Sequence, residues 1–309
     1  MIKVAELINL TENGFALPEP DGDISRLMDD FRAYCDTLVT EEDNASNVYD
    51  TWIDRGSELL SGLTPFEYIK QYAGEPPVFE RYEKLVLCML SSGVYSLPDK
   101  VLEDFFAVSD DPAAWRRGIT EKCLDHVAGE DRELSERCFM LLYKLSEIPG
   151  GFDGELYGRF ISTAEAMMDG NDEYASDLLT MAALCCENGF ERTLDLLAEK
   201  NMINETFGPV ETKLLAVLCF NGRKDDRLYA MLRTLVKKTD MFNEELKFYF
   251  TLVKDYGDQK AVSFLRTKVN QMRDAYMNMD SGTEKAKILF DNAFYGDGVI
   301  RQLGGAGYF

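Results

Sequence analysis

CCENGFERTLDLLAEK, residues 185–200, poses the question on which the fold turns. Two adjacent thiols precede an Asn-Gly pair, and an apolar helical pattern follows. Neighbouring residues on a helix point about 100° apart, so Cys185 and Cys186 do not converge on one ion. No further ligand lies nearby in sequence. Nothing basic precedes them to lower a thiol pKa, and Glu187 would raise it. The stretch therefore reads as a corner. One helix closes its buried face with cysteine, Asn188-Gly189 turns the chain, and Phe190, Leu194 and Leu197 open the buried face of the next.

Similar corners recur. ENGFERTLDLL, FNGRKDDRLYAML and DYGDQKAVSFL each set a glycine before polar residues and an apolar helical pattern. Gly62, Gly93 and Gly129 are 31 and 36 residues apart, and Gly189, Gly222 and Gly257 are 33 and 35 apart. Glycine reaches the left-handed conformation that ends many helices without a Cβ clash. Between the glycines the apolar residues keep helical spacing: Leu134, Cys138, Leu141, Leu145, Ile148 and Val262, Leu265, Val269, Met272, Tyr276. A strand would alternate every second residue. Helix starts are marked as well, by Thr64-Pro65 with Glu67 completing a capping box, by Asp111-Pro112, by Gly208-Pro209, and by Asn171 before Asp172-Glu173.

Helix pairs repeating every 30–45 residues mark α-helical arrays. Over roughly residues 43–277 the chain resembles HEAT-like and related α-helical repeat proteins. The resemblance implies an all-α superhelix of antiparallel helix pairs, an α-solenoid with an extended concave surface suited to protein binding. Neither a tetratricopeptide nor an ankyrin signature occurs. The phase slips around IPGGFDGELYG (148–158), which predicts an N-terminal arm at 1–23, an acidic helical array at 24–150 and a second array at 151–309 with a flexible tail, or one continuous solenoid.

Composition narrows the chemistry. The 309 residues carry a net charge of −22, distributed unevenly. Residues 1–111 hold 23 acidic and 8 basic side chains, 112–220 hold 20 and 10, and 221–309 hold 12 and 15. The acidic excess repels nucleic acid and anionic lipid from most of the surface. No apolar run approaches the length of a membrane span, and the N-terminus lacks a signal-peptide core. Seven cysteines without a C-x-x-C argue against a disulfide framework. Together these features predict a soluble cytoplasmic protein with no membrane partner.

His126 is the single histidine, so sites needing two are excluded. One turn before a helix end, it suits the negative end of the helix dipole. Asp29-Asp30 does not complete a DDxxD, and the acidic runs at 21–23 and 291–298 do not fit a calcium loop. GGFDGELYG follows a helical pattern rather than a strand, so it does not support a dinucleotide fingerprint. The reading therefore assigns no catalytic residue, metal ligand or cofactor.

The expected function is a non-enzymatic interaction scaffold or adaptor binding a protein or peptide. Its candidate contact residues are the cations of the C-terminal third: Arg223, Lys224, Arg227, Lys237, Lys238, Arg266 and Arg273. Two alternatives stay open. One is an enzyme with a carboxylate, tyrosine and arginine site in the concave groove. The other is binding of a polyanion or nucleic acid by residues 221–309. Self-association of acidic and basic ends is a further expectation.

Overall fold

The computed structural model describes residues 111–168, 172–202 and 207–307, with Gly170 and shorter pieces within 26–37 and 51–68. Every regular element among the described residues is helical, and no strand occurs among them. The chain divides into two compact units, residues 1–159 and 160–309. This boundary falls somewhat beyond the expected junction at Gly150-Gly151.

In the first unit, α1 (Pro112–Val127) and α2 (Arg132–Glu147) pack as a pair. Asp111 caps α1 by accepting the Ala114 N–H at 3.0 Å, with Pro112 in the first turn. The buried faces carry Ile119, Cys123, Leu124, Val127, Leu134, Cys138, Leu141, Leu142 and Leu145. Arg116 reaches from α1 past the end of α2, donating to the carbonyls of Gly151 (2.6 Å) and Pro149 (3.2 Å). Nearer the N-terminus, the Thr64–Glu67 capping box closes in both directions, at 3.0 and 3.1 Å. Buried Asp30 accepts from the Trp52 indole at 2.8 Å and from the Ser57 hydroxyl. Half of the Asp29-Asp30 pair thus belongs to packing.

α3 (Tyr157–Met167) crosses the boundary between the units. The second unit continues with α4 (Asp172–Thr180), α5 (Gly189–Met202), α6 (Pro209–Asn221), α7 (Asp226–Lys238), α8 (Glu245–Tyr256), α9 (Val262–Met277) and α10 (Glu284–Gln302). Its packing follows one rule. The partners α5–α6, α7–α8 and α9–α10 touch, and each helix also meets the next but one: α4–α6–α8–α10 in one layer, α5–α7–α9 in the other. The core between the layers is apolar, with Leu178, Leu197, Leu214, Leu232, Phe250, Leu265 and Leu289 fully buried. At about 25 cal/mol per Å² of apolar surface, such layers supply most of the driving force for folding.

The glycine corners separate into two kinds. Gly222 (φ 75°) and Gly257 (φ 68°) are left-handed C-caps, as their positions predict, and Gly62 (φ 85°) is left-handed too. Gly93 lies outside the described residues. Gly189 corrects the expectation: it is the first residue of α5, and Asn188 takes the left-handed turn instead, at φ 56°. Asparagine tolerates that conformation. The glycine is needed for space, because a Cβ there would lie 2.1 Å from the Ala182 carbonyl oxygen. That carbonyl belongs to a π-helical turn, Met181–Cys185, which widens the end of α4. Gly129 is not a left-handed cap either; Ala128 ends α1.

Residues 303–307 lie against the last helix pair, so the tail expected to be flexible does not begin at Gln302. Leu303 is buried, and the Gly305 N–H donates to the Ile300 carbonyl at 2.8 Å. A Cβ on Gly305 would meet Ile300 and Val262 within 3 Å. Tyr308 and Phe309 lie outside the described residues.

Gly222→Ala is expected to cost about 1 kcal/mol, because only the backbone conformation is strained and the space is open. Gly189→Ala is expected to cost more, about 2–3 kcal/mol, through the clash with Ala182. Urea denaturation of both variants checks the order.

Candidate functional site

The cations of the C-terminal third fall into two groups. The first stitches one corner to another. Arg223 pairs with Glu191 and lies over the Phe190 ring at 4.3 Å. Arg227 bridges Glu191 (2.5 Å), Asp195 (2.7 Å) and Asp225 (3.0 Å). Asp225 also caps α7 through the Arg227 N–H. Lys224 donates to the Tyr256 carbonyl at the end of α8 and sits 4.4 Å from the Tyr256 ring centre. The Tyr256 hydroxyl closes the corner, accepting from the Asp225 N–H and donating to the Asp225 carbonyl, both at 3.1 Å.

The same device recurs at Lys268, which is not among the contact residues expected from the sequence. Buried at 6% exposure, it donates to the carbonyls of Thr239 (2.6 Å) and Lys237 (3.3 Å) at the C-terminal end of α7. Burial lowers its pKa. A helix pattern shows that Lys268 falls on an apolar face, but the carbonyls it satisfies lie 29–31 residues away. Lys237 and Lys238 are exposed at the end of α7.

The second group lies at the end of the ladder. On α9, Arg266, Asn270, Arg273 and Met277 are spaced 4, 3 and 4, so they share one side. Phe264 and Lys268 occupy another side and face α7, where Phe264 meets Tyr229 ring to ring at 5.9 Å. On α10, Lys287, Phe290, Phe294 and Arg301 form a stripe. It points away from Asn292 and Gly296. Asn292 donates to the Met241 and Asn243 carbonyls before α8, both at 3.0 Å, and Gly296 lies against Phe250 of α8. Tyr276 and Phe290 join the two helices, with ring centres 5.4 Å apart. Phe290 and Phe294 stack at 6.2 Å.

This end face is apolar in the middle and open to solvent. Met277 is 77% exposed, Phe294 53% and Phe290 39%. A notch of about 500 Å³ beside it is lined by Tyr276, Thr283, Glu284, Lys287 and Phe290. Arg301 is half exposed and pairs with fully buried Asp297 at 3.3 Å. Two buried polar atoms on the α9 side, Arg266 Nε and Asn270 Oδ1, have no hydrogen-bond partner. A second notch, about 340 Å³, lies at the 183–191 corner against Asn221 and Arg223.

Three of the described thiols have raised pKa values. Burial raises the Cys185 pKa and pushes Cys219 up to about 12. Cys123 is held well above its ordinary value by its hydrogen bond with Cys138 and by burial. His126 sits in the last turn of α1. Among the described residues no three His, Cys, Asp or Glu side chains converge as a metal site. Among them, no helix is long and apolar enough to cross a membrane.

The corner pairs predict acid sensitivity. Arg227 lowers the pKa of Asp225 and of Glu191 below their ordinary values of 3.8 and 4.5. A carboxylate whose folded pKa is depressed stabilises the fold above its unfolded pKa, and that stability is lost as pH falls through the folded value. Arg227→Met is therefore expected to lower the melting temperature slightly at pH 7. The exposed pairs are screened by solvent, so the loss is expected to be small. The gap between wild type and variant is expected to shrink below about pH 4.5, the ordinary value for glutamate. Melting curves from pH 7 to pH 3 measure it.

No known protein family, characterised protein or solved structure matches the chain.

Proposed function

We propose that this protein is a non-enzymatic interaction module built on a HEAT-like array of helix pairs. The observation that carries the reading is the exposed cluster of Met277, Phe290 and Phe294 on the outer side of α9 and α10. A contiguous exposed apolar patch of this kind marks a surface that another molecule covers. Phe220 at the end of α6 is also exposed, whereas Leu214, Leu232 and Phe250 are buried between layers. Arg266 and Arg273 border the cluster, which keeps two of the sequence-assigned contact residues at the proposed surface. Arg223, Lys224 and Arg227 act first as internal ties.

Affinity capture from the native cells tests the reading by comparing wild type with the double variant Phe290→Ser, Phe294→Ser. The expected result is a reproducible protein partner retained by wild type and lost by the variant, with unchanged melting of the chain. Capture that ignores both substitutions would overturn it.

A further inference from the structure

We infer that the α9–α10 end face takes an acidic amphipathic helix, with apolar residues over Met277, Phe290 and Phe294 and carboxylates meeting Arg266, Arg273, Lys287 and Arg301. The inference rests on the interaction reading above and names the partner's chemistry.

Shape comes first. Within the second unit each helix lies against the next but one, so α10 receives α8 on one side. The Lys287–Phe290–Phe294–Arg301 stripe lies on the opposite side, where another helix of that layer would pack. Residues spaced 3, 4 and 7 along a helix are the usual anchors for a helical partner laid in a groove. The notch beside Tyr276 and Phe290 provides room for one large apolar side chain.

Charge then selects the partner. This face carries four cations in a chain of net charge −22. Two acids lie on its α10 side, Asp297, fully buried and engaged by Arg301, and Glu284 at the notch, so the cations outnumber them. A second copy docked face to face about a two-fold axis would bring these cations against their counterparts, which disfavours it. A polyanion would meet the cations but leave Met277 and Phe294 without an apolar partner, and the −22 chain repels it at long range. A helix with an apolar stripe flanked by glutamate or aspartate satisfies both features.

The test uses the full chain and a labelled synthetic peptide of roughly 18 residues, about five helical turns, with leucine at helical spacing and glutamate on the flanks. Fluorescence anisotropy at low salt is expected to show saturable binding. Binding is expected to weaken about tenfold in Phe290→Ser, Phe294→Ser, and similarly in Arg273→Glu, Lys287→Glu; raised salt also weakens it. An analogue with lysine replacing glutamate is expected not to bind. Both phenylalanines are substantially exposed, so the variants should fold; Phe294→Ser alone serves if the double variant does not. The inference is overturned by equal binding of the lysine analogue or by indifference to the substitutions. It is also overturned by tighter binding of a single-stranded thymidine oligonucleotide. Self-association in sedimentation that Phe290→Ser, Phe294→Ser abolishes would assign the face to a second copy instead. If native capture depends on Phe290 and Phe294 while the peptide is ignored, the partner chemistry fails and the interaction reading stands. If neither responds, both fall.

Discussion

The C-terminal end of every helix leaves backbone carbonyls without partners inside the helix, and this fold meets that constraint across its corners. Lys224 satisfies the end of α8, Lys268 the turn after α7 and Arg116 the turn after α2. Asn292 does the same for the turn before α8. The donors come from about 30 to 50 residues away in sequence. Apolar burial presses helices together without fixing their register, because it is not directional. A donor aimed at one carbonyl has a direction, and it can be satisfied in only one register. In the second unit the polar ties and the apolar layers therefore act on the same choice, and the ladder follows from both.

The ties also explain why a strongly acidic chain concentrates cations in its last third. Arg223 and Arg227 meet acids on α5, and Lys213 on α6 meets Asp172 on α4 at 2.9 Å. Each pair is exposed enough to contribute little stability alone. Their shared consequence is placement, since an acid on one helix finds its cation on the next but one. Cations used this way are no longer available in full to an outside anion. These ties form the inner group around Arg227.

The sequence disclosed the parts of the fold governed by local chemistry. Gly222 and Gly257 were readable because a left-handed residue favours glycine wherever it occurs. Thr64, Asp111 and Gly208 were readable because a capping pattern spans only four residues. Gly189 was assigned the wrong reason, because its need for no Cβ comes from the Ala182 carbonyl in a π-helical turn that no spacing rule reveals. The basic residues of the candidate surface were visible, but not their division into internal ties and end-face cations. That division depends on partners some 32 to 36 residues away.

Phe290 and Phe294 are hard to read from the sequence for a related reason. In KAKILFDNAFYGDGVIRQ the positions 286, 289, 293 and 300 already account for a buried stripe. Two phenylalanines four residues apart on another side, between Lys287 and Arg301, are surplus to that stripe. An amphipathic helix needs one apolar face to join a two-layer stack. The second apolar face of α10 is exposed, while Gly296 and Gly305 bring the first face unusually close to α8 and α9. α10 thus packs tightly on one side and exposes aromatic rings on the other. The surplus face, more than any concave groove, is where this molecule departs from what its own folding requires.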